Sequence, residues 1–424
     1  MLRTRTKHRI IDKEQFLFKA LHWANQFDQL AYYAHNQIPY PHGGFKQILA
    51  VGAREVCLPQ PEQDSFEALK QFHQDEWLFG FLGYDLKNEV EALSSKNTDR
   101  LGFPEMGFFK AKHLLFFDGD HVEVDSEDPG LFDRLMSYDA QAENSEIGPV
   151  QAGMTRDEYL SITQQLRSHI EEGDCYEINF CQEFQGAIES ASPVDLFLEL
   201  TRLSPKPFAA FQKWNGQYIL SASPERFLKK QGNQLISQPI KGTRPRSADA
   251  EEDARLAIEL RHDEKEMAEN MMIVDLVRND LARTAVTGTV EVEEMFGIYS
   301  FRQVHQMIST ITAEIRPEAH FMEAIRNTFP MGSMTGAPKV KVMQLIEQYE
   351  KAKRGPFSGA AGYISPEGDF DFNVLIRSLF LDLEKMKYQY QVGSAITYDA
   401  VPEKEYEECL IKAQALCQLL DLRL

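Results

Sequence analysis

The 424 residues are 43% apolar and carry a formal charge of -20, which allows a sizeable core but argues against nucleic acid or an anionic membrane face as partner, because no Lys/Arg-rich block exists. Any anionic substrate must therefore meet a local reversal of sign. No window of about 18 apolar residues predicts a membrane span, no apolar segment follows the basic residues 2–9 as a secretory signal requires, and five cysteines without a CxxC spacing predict reduced thiols in the cytoplasm.

Before residue 123 the chain alternates short apolar runs with turns, as at 77–84 and 114–117, which predicts strands with some helix. The stretch 123–153 is acidic, holds Pro129-Gly130 and Gly148-Pro149, and reads as a linker, dividing an N-terminal portion, 1–150, from a second portion, 151–424. Thr155 and Glu158 form a capping box. Tyr159, Leu160, Ile162, Leu166 and Ile170 then share one helical face before Gly173. A second helix is predicted over 249–281, a third opening at Pro338 and running to Ile346, and a last one from about Lys404, with Tyr406, Leu410, Ala413, Cys417 and Leu420 on one side. Strand-like runs cover 217–221, 227–229, 235–240, 289–292, 308–315, 359–364, 372–381 and 388–396. Strands outnumber helices without βαβ alternation, which predicts a mostly antiparallel α+β fold.

The segment Pro239-Ile240-Lys241-Gly242-Thr243-Arg244-Pro245-Arg246 sets one lysine beside a small Gly-Thr turn. An ammonium is not a nucleophile, and neutralising an ordinary lysine at pH 7 costs roughly 4 kcal/mol. Burial beside a cation would close that gap; a solvated lysine next to Arg244 and Arg246 is the plainer alternative. Glu225 follows the apolar run ending at Leu220 and could act as an acid if its pKa were raised, or pair with Arg226. Glu269 lies among large apolar side chains and needs a proton, a base or a metal if buried. For Glu408 the spacing supports only an i,i+4 pair with Lys412. Arg377 interrupts an apolar run and suits either a carboxylate ligand or a cross-strand ion pair. The loop from Gly332 to Lys339 places small residues ahead of a helix, where an anion can bind.

From about Met154 onward the blocks Gly173-Asp174-Cys175-Tyr176, Ser223-Pro224-Glu225-Arg226, Pro239-Ile240-Lys241-Gly242-Thr243, Val274-Asp275-Leu276-Val277-Arg278-Asn279-Asp280-Leu281, Gly332-Ser333-Met334-Thr335-Gly336-Ala337-Pro338-Lys339 and Arg354-Gly355-Pro356 resemble, in order, those of the chorismate-utilising enzymes, the anthranilate synthase component I family. The first 150 residues match only loosely, mainly at Gly80-Phe81-Leu82-Gly83-Tyr84-Asp85. The resemblance implies two packed, mostly antiparallel sheets with helices outside. It also implies a Mg2+ held by Glu269 and Glu408, with Glu266 and Glu405 as helpers. Substrate contacts are implied at Gly242, Thr243, Tyr363, Arg377, Gly393, Ser394 and Ala395, and Glu225 is implied as the general acid. Family members usually carry alanine where Lys241 stands; lysine there marks the branch that aminates chorismate at carbon 4 through a covalent lysine intermediate. No Gly-x-Cys-x-Gly block exists, so a separate glutaminase subunit is the expected ammonia source.

Departures matter too. Glu177 stands where amine-forming members often carry glutamine and where water-adding members carry a lysine base, so addition of water is not expected. Gln306 replaces a histidine associated with pyruvate elimination, which weakens the alternative of anthranilate formation. Ser394 and Ala395 replace glycines of a Gly-rich run.

Overall fold

The computed structural model describes residues 3–421 except 61 and 303. All named strands pair antiparallel, in one continuous sheet folded into two layers. One layer runs Gln47–Cys57, Gln29–Ala34, Phe208–Trp214, Gln217–Ser223, Ser378–Asp382, Lys387–Ile396 and Glu177–Ser190. The other runs Leu78–Leu82, Ala360–Ile364, Phe370–Val374, Arg226–Gln231, Gln234–Gln238 and Val304–Glu314, with Ile240–Pro245 and Glu291–Ser300 also pairing to this last strand. The long strand Met106–Asp118 pairs with the first strand of each layer and joins them. Strands from 1–150 and 151–424 therefore lie side by side in both layers.

The period of two along each strand decides which core a side chain enters. In Gln29–Ala34, Ala31 and Tyr33 face the space between the layers, while Leu30, Tyr32 and Ala34 face outward beneath helices. The inner faces interlock through aromatic edges, Tyr33 on Tyr363 and Phe81 on Trp214. Helices Lys13–Ala24, Arg156–Glu171, Pro193–Leu203 and Pro402–Leu419 cover the first layer. Glu264–Ala282, Phe321–Thr328 and Ser65–His73 pack their apolar faces into the other core. No helix among the described residues is long and apolar enough to cross a membrane.

The expected α+β, two-layer antiparallel arrangement is the one formed, and both bonds of the Thr155–Glu158 capping box are made. Four local readings differ. The stretch 123–153 holds the end of strand His121–Ser126, helix Leu131–Ser137 and two short strands. The run 249–281 is two helices, because Asp263 turns its carboxylate onto the N–H groups of Lys265 and Glu266 and starts the second afresh. Pro338 precedes helix Lys339–Tyr349 instead of opening it. The run 372–381 breaks at residues 375–377, where the chain passes from one layer to the other.

Arg226 anchors this packing. Fully buried, its guanidinium forms a fork on Asp371 at 2.8 and 3.0 Å, donates to Gln238, and reaches the carbonyls of Pro41 and Gly43. Arg226→Met leaves Asp371 buried without its partner, so unfolding by denaturant should show a loss of about 3–5 kcal/mol; a loss under 1 kcal/mol would refute that account.

Candidate functional site

The two layers exchange strands at adjacent points. Residues 224–225 carry the chain from Gln217–Ser223 into Arg226–Gln231, and residues 375–377 carry it back from Phe370–Val374 into Ser378–Asp382. The crossings are tied together: Val374 N–H donates to the Glu225 carbonyl at 3.0 Å, and the Ser223 hydroxyl donates to the Val374 carbonyl at 2.6 Å. Glu225 and Arg377 therefore sit where the sheet divides and side chains can point into the gap.

Lys241 lies on Ile240–Pro245 at a break in register against Val304–Glu314, Ile240 facing Ile308 but Thr243 facing Gln306. Such a bulge re-aims the side chain beside it. Gly242 adopts φ +88 there, and a Cβ would press on Leu260 and Glu266 at 3.1–3.3 Å, so glycine fits the bend. Lys241 is 8% exposed, and its ammonium donates to Glu177 Oε1. Glu177, 1% exposed, opens strand Glu177–Ser190. The short pairing of that strand with Gly336-Ala337 needs glycine, because a Cβ on Gly336 would lie 2.0 Å from the Glu177 carbonyl.

Burial favours a neutral Lys241, but Glu177, Glu269 and Glu408 outweigh it and hold its pKa well above the ordinary lysine value. Burial beside a cation would reverse this, but neither arginine of the same segment is left to act as that cation. Arg244 is bound to Asp263 and Glu266, and Arg246 to Asp253. The lysine is thus an ammonium with an internal proton acceptor. Glu225 is 4% exposed, and burial raises it to about 7 against donation from Ser333 and the Ile240 N–H and the charge of Lys241. An acid of that strength can hold a proton near neutral pH and give it up.

Glu269, on Glu264–Ala282, is also raised to about 7, chiefly by burial, with Lys241 opposing. Lys265 lies 3.7 Å from Glu269 and from Glu405, tying the two helices that carry them. Glu408 keeps 47% of its side chain exposed and makes the predicted i,i+4 pair with Lys412 at 2.6 Å, which holds its pKa low. Glu405 is buried; the Oε2 atoms of Glu405 and Glu177 accept no hydrogen bond among the described residues. Glu269 and Glu408 both act on Lys241 and Lys265, so they face one region. Buried carboxylate oxygens with too few donors suit a hard, oxygen-seeking divalent cation. Glu266 is engaged by Arg244.

Arg377 adopts φ +54 at the layer crossing and donates to the Lys412 carbonyl at 2.6 Å. It makes no ion pair within 4.0 Å among the described residues, and burial lowers it to about 10, with Glu408 opposing. A guanidinium so placed retains donors for an anion. Gly393, Ser394 and Ala395 run alongside Cys181, Phe180 and Asn179. Past Gln389 no strand pairs with their other edge among the described residues. The Gly393 carbonyl accepts from Lys412, and Ser394 is hydrogen-bonded to Tyr159. Thr243 is exposed at the rim.

Tyr363 is not brought to this group. Its hydroxyl accepts from the Lys46 N–H at 3.0 Å and its ring packs among Tyr33, Phe45 and Trp77 in the inter-layer core. Alternation along Ala360–Ile364 sends it inward, so it cannot serve as a substrate contact at this site. Conversely, the sequence marks Glu177 only as a departure, and Ser333, Lys265 and Lys412 not as members of the site. The signal for Glu177 is one charged residue directly before the apolar Ile178 in a buried strand.

The chorismate binding enzyme family profile matches residues 14–418. The chain is 34% identical over 350 residues to aminodeoxychorismate synthase component 1 of Escherichia coli, covering 81% of this chain and 76% of that protein. It is 32% identical over 361 residues to anthranilate synthase component 1 of Thermus thermophilus, covering 81% and 77%. Its fold is similar to the crystal structure of anthranilate synthase component I from Streptococcus pneumoniae, with TM-score 0.78 at 26% identity, covering 89% of this chain and 95% of that one. The chain belongs to the chorismate binding enzyme family.

Proposed function

We propose that this enzyme aminates chorismate at carbon 4 to 4-amino-4-deoxychorismate, which feeds 4-aminobenzoate and folate synthesis. The observation that carries the reading is Lys241, buried in Pro-Ile-Lys-Gly-Thr against the proton acceptor Glu177. The 34% identity to aminodeoxychorismate synthase component 1 supports it. The 32% identity to anthranilate synthase component 1 supports the alternative of amination at carbon 2 with loss of pyruvate. Gln306, buried opposite Thr243 where the family's histidine would stand, favours the first.

Glu177 takes the Lys241 proton. The neutral amine bonds ring carbon 2, both conjugated ring double bonds shift toward carbon 4, the carbon 4 to oxygen bond breaks, and Glu225 gives its proton to the departing hydroxyl, which leaves as water. Ammonia then bonds carbon 4, the double bonds shift back as the carbon 2 to lysine bond breaks, Glu225 recovers a proton from the new ammonium, and Glu177 returns its proton to Lys241. Arg377 grips one substrate carboxylate as a fork. The main chain at Gly393, Ser394 and Ala395 and the rim at Gly242 and Thr243 enclose the ring. Glu269 and Glu408, helped by Glu405, would hold Mg2+, which when bound fixes the other carboxylate and offsets the negative field at Lys241. Ammonia comes from a separate glutaminase subunit, consistent with the component 1 name of the relatives. Five buried free cysteines support a reducing, cytoplasmic setting.

With chorismate, Mg2+ and ammonium salt, Lys241→Ala should lower amination by at least about 10³-fold. The wild-type product should yield 4-aminobenzoate only once a lyase is added; fluorescent anthranilate with released pyruvate would refute the proposal. Glutamine should replace ammonium only with a glutaminase subunit present. Because Glu225 must be protonated to act and is raised to about 7, kcat should hold at lower pH and fall as pH rises through that value. Glu225→Gln should flatten this limb and lower kcat by about 10²–10⁴-fold; a limb that survives the substitution belongs to another group.

A further inference from the structure

A cavity of about 20 Å3 adjoins Glu225, lined also by Ser333, Ser237, Val277, Asp280 and Thr328. That volume accommodates one water molecule, which also needs two or more polar partners. Asp280 is 2% exposed, and its Oδ2 accepts from Lys339 Nζ at 2.7 Å. Lys339 in turn donates to the Thr328 carbonyl at 3.1 Å. Asp280 Oδ1 accepts no hydrogen bond among the described residues. A carboxylate oxygen left so in the interior is costly, and a bound water is the usual remedy. The other hydroxyls at the cavity are already committed in part: Ser237 donates to the Phe227 carbonyl and Thr328 to the Ala324 carbonyl.

We propose that one water in this cavity donates to Asp280 Oδ1 and to the Glu225 carboxyl, making Asp280 and Lys339 positioning residues for the acid of the amination. This rests on the role of Glu225 given above. The water would join Ser333 and the Ile240 N–H as a group facing the Glu225 carboxyl. Lys339 holds Asp280 in place, so the pair acts through the water and touches no reacting atom.

The test fills the cavity without altering either charge. Val277→Ile adds one methylene at the lining, and a melting curve verifies its fold. Its kcat with ammonium should fall about tenfold or more, because a slightly misplaced catalytic group is slow. The chorismate KM should stay within about twofold, since carboxylate binding is elsewhere. The pH at which kcat falls should shift, a readout that packing alone would leave unmoved. A crystal structure of the wild-type protein should show ordered water within hydrogen-bond distance of both Asp280 Oδ1 and Glu225. No water there, or a folded Val277→Ile enzyme with unchanged kcat and pH limb, overturns the proposal. If Glu225→Gln leaves kcat unchanged, the functional reading itself fails, an outcome distinct from a silent Val277→Ile beside an impaired Glu225→Gln.

Discussion

The buried pairing of Lys241 with Glu177 is the constraint on which the site depends. Removing two charges from water is expensive, and their attraction compensates only where geometry and further hydrogen bonds are good. Here the surroundings are unevenly matched. Glu177 Oε2 lacks a partner among the described residues, and Glu269 and Glu408 add to the negative field that keeps the lysine protonated. A pair of this kind stabilises the fold poorly but stores a proton next to a potential nucleophile. Positive charge brought to the glutamates would shift the balance toward the neutral amine, because burial already pulls in that direction.

The fold explains why such a pair can exist. A flat sheet would present these side chains to solvent or bury them against apolar neighbours. Dividing the sheet at two adjacent crossings creates a polar gap walled by strands, into which Glu225 and Arg377 project from the crossings themselves. Arg226, next to Glu225, points the other way into Asp371 and binds the N-terminal loop at Pro41 and Gly43. Neighbouring residues of one motif thus have opposite duties, chemistry for Glu225 and cohesion for Arg226. Helices Glu264–Ala282 and Pro402–Leu419 deliver the carboxylates and are joined through Lys265.

The chain carries -20 overall, yet Arg377 retains unengaged donors at the site. Most other basic groups nearby are committed: Arg244 to Asp263 and Glu266, Arg246 to Asp253, and Lys412 to Glu408. The local reversal of sign that an anionic substrate needs is therefore narrow, which favours a small ligand with few carboxylates over an extended polyanion.

Strand alternation and the Thr155–Glu158 cap were enough to read an antiparallel α+β fold, and residue type in local context singled out Lys241, Glu225, Glu269 and Arg377; Glu408 was named through the family resemblance alone, its spacing indicating only the pair with Lys412. The break at Asp263 was legible in principle, as an aspartate ahead of a helical turn, but the periodic apolar residues on either side masked it. Tyr363 was misplaced because its motif says nothing of which face of the strand points to the gap. The partner of Lys241 lies 64 positions away, and no spacing rule connects a strand opening at Glu177 with a bulge at Gly242. Residue types and their order determined the available chemistry and the secondary structure; tertiary packing alone decided which charges meet, because a pKa depends on neighbours and burial that only the folded layers supply.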